Sequence, residues 1–301
     1  MLNIVGHKKT YFIISGILVG ASVAAILFFG FREGIDFRGG SLWQFKINAD
    51  TPLASDLENV FKTDLGAADV KINFDSQNKI FLARLGEINE SDHQKFLQLL
   101  KNKFSSFEEL GFQSIGPSVG SELRKNAFMA IAFVLVGISL YIAWAFRKAS
   151  RPVSSWKYGW ITLLSLFHDV AIPAGLLAIL GRFLRIEIDG NFIVALLVVM
   201  GFSVHDTIVV FDRIRENLIL ARGKENFSSI VNASVNQTLA RSINTSLTLI
   251  LVLLALYFTG PLNLRYFVLT LLVGVTTGIY SSIFIASPGL LLFTPKNNRQ
   301  D

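Results

Sequence analysis

The sequence predicts an α-helical, polytopic membrane protein with six spanning helices and a small α+β domain inserted between the first and second. Three observations lead there. Of 301 residues, 51% are hydrophobic and only 17% are charged; an ordinary soluble domain has about 45–50% and about 25%. The apolar residues come in runs, and about 20 such residues suffice to cross a bilayer. One long polar stretch, 32–122, interrupts the runs. The mean hydropathy of +0.50 fits the same class. With no Cys and only 4 His, the chain lacks the means for a disulfide framework, a thiolate metal site, a catalytic cysteine or a His-rich metal centre.

The spans fall at roughly 10–31, 126–146, 157–180, 190–212, 240–260 and 264–293. The first follows His7, Lys8 and Lys9, and Ser22-Val23-Ala24 resembles a signal-peptide cleavage site. The apolar run continues past that site through Ile26-Leu27-Phe28-Phe29, so a retained anchor is expected. Orientation follows from Lys and Arg in short loops. Lys8 and Lys9, then Arg147, Lys148, Arg151 and Lys157, then Arg213, Arg215, Arg222 and Lys224, then Lys296 and Arg299 fall on one side of a six-span chain. That side is expected to be cytoplasmic and to hold both termini. Arg182 and Arg185 in the opposite hairpin are offset by Glu187 and Asp189. The polar stretch 32–122 has ten Lys/Arg against fourteen Asp/Glu, so the basic excess sits beside the membrane and is no nucleic-acid footprint.

Within 32–122, the alternation of Leu42, Phe45 and Ile47 predicts a strand over 40–48. Leu53, Leu57, Val60, Phe61 and Leu65 recur at helical spacing over 52–65, with Pro52 suited to a first turn. Strands follow at 69–75 and 79–85, joined through Ser76-Gln77-Asn78, then a helix over 90–104 and a strand near 109–115. The order β-α-β-β-α-β is that of a ferredoxin-like split βαβ fold. The chain thus divides into tail and first helix (1–31), inserted periplasmic domain (32–122), five-helix bundle (123–293) and a cytoplasmic tail (294–301).

No GxxxxGK[ST], HExxH or GxSxG occurs, and no nucleophile–base pair stands out, so an enzyme is not expected. The chemistry instead lies in charge inside the membrane. Asp206 lies in GFSVHDTIVVF, 16 residues into the fourth span, or roughly 24 Å at about 1.5 Å per residue. An acid within a span costs about 2.5–3.5 kcal/mol near mid-helix and is read as functional by default. His205 is adjacent but points about 100° away along a helix, so that it, like Thr207, is read as either a relay member or a structural residue. Arg241 opens the fifth span in LARSINTSLT, where it can snorkel. Residues 241, 244/245 and 248 share a face, as do 203, 206/207 and 210, which places Thr207 with Asp206. Two such stripes facing each other would hold water and an Arg–Asp pair. Asp169, in LFHDVAIP, is the second intramembrane acid; Pro173 four residues later predicts a kink there, and two readings stay open, a structural one in which Asp169 or His168 satisfies polar groups near the kink and one in which Asp169 is a relay member. Asp212, Arg213, Arg215 and Glu216 read as a solvated ion-pair cluster, and Gly16/Gly20 and Gly274/Gly278 as close helix contacts.

At these residues the chain resembles the SecF group of the SecD/SecF protein-export family, relatives of the RND transporters. The likeness rests on GIDFRGGSL at 34–42, IGPSVGSELRKNA at 115–127, HDV at 168–170, GFSVHDTIVVFDRIREN at 201–217, LARSINTSLT at 239–248 and GVTTGIYSSIFIASP at 274–288. SecD shares the frame but usually has a much larger first outer region. The resemblance implies a bacterial inner-membrane subunit of a SecD–SecF complex. Such complexes assist late protein translocation through the SecYEG channel by means of the proton-motive force. Its implied partners are SecD, SecYEG, a YajC-like accessory subunit and the translocating preprotein; its coupling ion is the proton, with no other cofactor. The family motif assigns proton passage to Asp206 and Arg241, together with an Asp from SecD. This chain departs from the family in having His205 where Asn is common and Ser242 where Thr is common. Gly34, Asp36, Gly39 and Gly40 of the GIDFRGG segment are expected to carry the coupling between first span and domain. Two alternatives of another class are an RND-like exporter of small molecules or lipids and a non-transporting translocon scaffold.

Overall fold

The structure is a computed structural model that describes all residues except 49–51, 68, 77, 148–152 and 294–301. Lys148, Arg151, Lys296, Arg299, Gln77 and the C-terminal tail of the sequence reading lie outside the described residues. The chain forms two compact units, 1–32 with 129–301, and 33–128.

Among the described residues, six helices are long and apolar enough to span a membrane. They are α1 (Lys8–Phe29), which follows a 3-10 turn at Val5–His7, and, after the interspan domain, α5 (Pro117–Ala145), α6 (Ser155–Leu184), α7 (Gly190–Ala221), α8 (Phe227–Thr259) and α9 (Arg265–Ser281). The last span continues through a π turn, Ser282–Ala286, to Phe293. Several helices outrun the hydrophobic stretches from which they were read, because a helix propagates until a cap or breaker stops it. Asp189 starts α7 by accepting from the Phe192 amide at 3.0 Å, and Asn226 starts α8 by accepting from Ser228 at 3.2 Å. Arg222 (φ 47°) and Gly223 (φ 75°) end α7 in the left-handed region. The backbone of α6 stays helical through Pro173, so the expected disturbance does not divide the span.

Close packing is set by small residues. A Cβ on Gly274 would run into Val199 of α7, and one on Gly175 would run into Ser22 of α1. Gly16 and Gly20 meet nothing within 4 Å. Of the two GxxxG patterns, Gly274/Gly278 sits in a helix contact within this chain, and Gly16/Gly20 meets no other helix among the described residues. α1 and α6 approach closely at Gly175, which lies in no such motif. The N-terminal segment is also pinned. Asn232 of α8 accepts from the Ile4 amide at 2.9 Å, and Asn236 from the Leu2 amide at 2.8 Å.

The second unit holds α2 (Ile35–Arg38), β1 (Gly40–Ile47), α3 (Ala54–Thr63), β2 (Val70–Asp75), β3 (Ile80–Leu85), α4 (Glu90–Lys103) and β4 (Phe107–Ile115). The sheet order is β2-β3-β1-β4, all neighbours antiparallel. Trp43, Phe45 and Ile47 alternate inward on β1 and are essentially without exposure. Leu42, grouped with them by the sequence pattern, lies on the other face, because side chains two apart share a face and Leu42 is out of phase. A bulge opposite Gln44/Phe45 leaves Leu110 as the extra residue. The indole of Trp43 donates to Glu109 at 2.9 Å, and His93 faces the same carboxylate at 2.7 Å, so the polar groups entering this core are partnered.

Candidate functional site

The buried polar residues of the first unit concentrate in the bundle. Asp169 and Asp206 are 0% and 6% exposed, and Ser203, Thr207, Ser242, Ser246, Ser281 and Ser282 are all buried with them. Helical spacing explains the α7 contribution: Ser203, Asp206 and Thr207 are three and four residues apart and share one face. On α8 the buried stripe is Ser234, Thr238, Ser242 and Ser246, at intervals of four. The last span contributes two neighbouring hydroxyls, Ser281 and Ser282. They reach different partners, Ser281 toward α6 and Ser282 toward α7, where the backbone widens into the π turn.

Several of these groups are linked in a seam. Thr207 and Ser282 share a hydrogen bond at 2.8 Å. Ser282 lies 3.5 Å from the Ser203 carbonyl. Ser203 and Ser281 both donate to Asp169 Oδ2, at 2.5 and 2.6 Å, and Ser165 donates to Ser281 at 2.9 Å. Ser242 and Ser282 approach the Asp206 carboxyl. Even so, Asp206 Oδ2 and the Ser242 and Ser246 hydroxyls have no hydrogen-bond partner among the described residues. A hydroxyl both donates and accepts, so a string of them beside a carboxyl can pass a proton along.

The seam differs from the one expected on α8. Arg241, Asn244, Thr245 and Thr248 are exposed, and the buried face is one residue on, at Ser242 and Ser246. No ion pair joins Arg241 to Asp206 among the described residues. Two polar stripes recur at helical intervals on α8: the buried one carries Ser242 and Ser246, and Arg241 lies on the exposed one. His205 is exposed while Asp206 beside it is buried. Asp212 and Arg213 belong to exposed one-turn pairs, Arg213 with Glu216 at 2.6 Å and Arg215 with Asp212 at 3.7 Å. Ser281 and Ser282 were missed as site residues; their signal was two adjacent hydroxyls in an otherwise apolar run. Among the described residues no group of three or more acidic, His or Cys side chains is placed to hold a metal.

In the second unit the GIDFRGG segment folds as α2 and then turns sharply. Gly34 caps α2, Asp36 lies in its first turn, and Gly39 (φ 78°) and Gly40 (φ 119°) follow with positive φ. A Cβ at Gly39 would fall 2.8 Å from the Pro117 backbone, and one at Gly40 would fall 2.8 Å from the Leu85 carbonyl. Glycine is required at both positions, by conformation and by space.

The family model for "Protein export membrane protein SecD/SecF, C-terminal" matches residues 95–296. The chain is 43% identical to the protein translocase subunit SecF of Thermobaculum terrenum, covering 99% of this chain and 95% of that protein. It is 37% identical to the corresponding subunit of Anaerolinea thermophila, covering 97% and 94%. The crystal structure of SecDF from Thermus thermophilus, described as a translocon-associated membrane protein, matches with a TM-score of 0.81 at 33% identity. That match covers 97% of this chain and 38% of the SecDF chain, so this chain spans well under half of the larger protein.

Proposed function

The chain belongs to the SecF family of multi-pass protein translocase subunits, transporter components and not enzymes, and from that premise we propose that it works with SecD in a membrane complex that uses the proton-motive force to assist late protein export through SecYEG. The observation that supports proton coupling most directly is Asp206. It is a nearly buried acid in a bundle of spanning helices, with one oxygen unpaired beside the hydroxyls of α7, α8 and the last span. A buried acid is costly in a membrane and is retained where it does work.

In this reading Asp206 takes up a proton from the outer side and releases it inward. Arg241 starts out exposed and swings toward the seam to favour release, with an Asp of SecD completing the path. Both termini lie in the cytoplasm of a bacterial inner membrane, as the basic loops indicate. Each proton that crosses 100 mV releases about 2.3 kcal/mol. A few protons therefore supply the roughly 5.5 kcal/mol that moves a two-state equilibrium from 1:99 to 99:1. The Gly34–Gly40 segment passes the shift to the interspan domain, which captures or releases the emerging preprotein.

The test is preprotein export in cells lacking SecF, complemented by wild type or by Asp206→Asn at matched membrane levels. Export is expected to be rescued by wild type alone, with the variant at least about tenfold slower, a barrier increase of about 1.4 kcal/mol. Equal rescue by both would leave a scaffold. Rescue by neither would point to an exporter of small molecules or lipids.

A further inference from the structure

Asp169 has no exposed surface, and its carboxylate is held by one imidazole and two hydroxyls. His168 Nδ1 lies 2.8 Å from Oδ1. On Oδ2, Ser203 of α7 and Ser281 of the last span donate at 2.5 and 2.6 Å. Ser281 also lies 3.1 Å from the Gly278 carbonyl, but the carboxylate is nearer. The other side of the imidazole is open: His168 Nε2 has no hydrogen-bond partner among the described residues, although the residue is only 4% exposed. A neutral ring that donates from Nδ1 keeps an open lone pair on Nε2. Together the two residues make a buried proton acceptor whose receiving atom is unpaired and whose far end grips α7.

We propose that His168 and Asp169 form a second proton-accepting unit, linked to Asp206 through Ser203 and the α7 backbone. A proton arriving at Nε2 makes the imidazolium. The Nδ1 proton then passes to Asp169 Oδ1, leaving a neutral ring protonated on Nε2 and a neutral carboxylic acid. The pair takes up one proton and its charge goes from −1 to 0. The two hydroxyl bonds on Oδ2 thereby change from charge-assisted to neutral, about half as strong. Ser203 lies one turn from Asp206 and Thr207, so the grip on α7 slackens next to the first acid.

The titratable groups around the unit are few. From α7, Asp206 interacts with Asp169 electrostatically, while His205 is exposed. From the last span, the Tyr280 ring lies 6.0 Å from the His168 ring. From α1, Tyr11 is present, and its carbonyl accepts from the Tyr280 hydroxyl at 3.3 Å.

This inference rests on reading Asp206 as a proton carrier, and the experiment separates the two. The full chain with its partner, in lipid membranes, is titrated by infrared difference spectroscopy, and proton-driven export is measured over the same pH range. Wild type should show two carboxylic-acid bands, one absent in Asp169→Asn and the other in Asp206→Asn. Asp169→Asn should also move the proton concentration for half-maximal export by about tenfold, one pH unit. A structural role alone would change the amount of complex and leave that profile in place. Should Asp169→Asn fail to assemble, His168→Gln keeps the carboxyl and must displace its band. An unchanged band set in Asp169→Asn, an unmoved band in His168→Gln, or a wild-type export profile in Asp169→Asn overturns the proposal. An Asp169 band in wild type with no band lost in Asp206→Asn would instead overturn the reading of Asp206.

Discussion

In the interspan domain, the largest side chains with no exposure are Trp43, Phe45, Phe61 and Phe81, joined by Leu57 and, among polar residues, by Ser41. In the helical bundle, Asp169, Thr207, Ser281, Ser282 and Ser287 have none, while Trp160, Phe133 and Phe258 are 66%, 75% and 75% exposed. Valines and phenylalanines are buried in the bundle too, Val199 and Phe211 among them. The difference is that burial in the bundle takes in many polar side chains, two acids among them. In water an apolar side chain gains about 25 cal/mol per Å² by leaving the solvent. In lipid that gain is absent, and association depends on close packing and on polar groups finding each other. One chain thus obeys two rules, divided at the two joins between its units, and the buried hydroxyl seam is where the second rule gathers polar side chains.

The comparison breaks most visibly at its aromatic centre. Trp43 packs edge-on against Phe45, Phe61, Phe107 and Phe112 with centroids 5.9 to 6.0 Å apart. Trp43→Ala should destabilise the domain by about 3–5 kcal/mol and leave Glu109 without the indole donor. Trp160→Ala in the bundle removes a side chain of similar size from an exposed position and should change stability by about 0.5 kcal/mol or less. Urea unfolding of the purified full chain in detergent, followed by proteolysis of the interspan domain, measures both. Equal effects would mean that the two units are held together by the same physics.

A smaller effect sharpens the packing side of the argument. Gly274→Ala drives a methyl into Val199 and should cost about 1–3 kcal/mol through overpacking. Gly16→Ala meets open space and should be neutral or gain up to about 1 kcal/mol from helix propensity. The thermal midpoints of the two variants in detergent should therefore move apart. Coincident midpoints would show that α7 and α9 have slack at Gly274.

How far the sequence reveals this arrangement follows from the same two rules. The spans and the domain order are legible because both leave strong periodic or continuous apolar signals. Asp206 and Asp169 are legible because charge is expensive in a span. The facing of α8 is not, since Arg241/Asn244/Thr245/Thr248 and Thr238/Ser242/Ser246 are both regular stripes, and only packing against α7 selects the second. Leu42 misled for a related reason: an apolar residue on the outer face of β1 looks like any other. Ser281 and Ser282 escaped notice because their separate aim depends on a π turn, which sequence periodicity does not encode. The tight position of Gly175 depends on where α1 crosses α6, a tertiary fact without a local motif.

The smallest expected effect lies at the surface of the domain, where charge behaves as it does in any soluble protein. Lys103 of α4 donates to Asp64 Oδ2 at 2.5 Å, and Thr63 donates to Oδ1 at 2.9 Å. These bonds, the ammonium first, hold the Asp64 carboxyl below its usual range. A carboxyl depressed in the folded state stabilises it above the unfolded value of about 3.9, and that contribution disappears as pH falls through the lowered value. Both side chains are nearly half exposed, so salt screens the pair. Asp64→Asn should therefore lower the urea midpoint of the interspan domain slightly at neutral pH and low salt. The difference from wild type should vanish at high salt, and again in acid below both values. A difference that persists in high salt would mean that Asp64 acts as a packing or turn residue, and the surface of this domain would then follow the close-packing rule of the bundle.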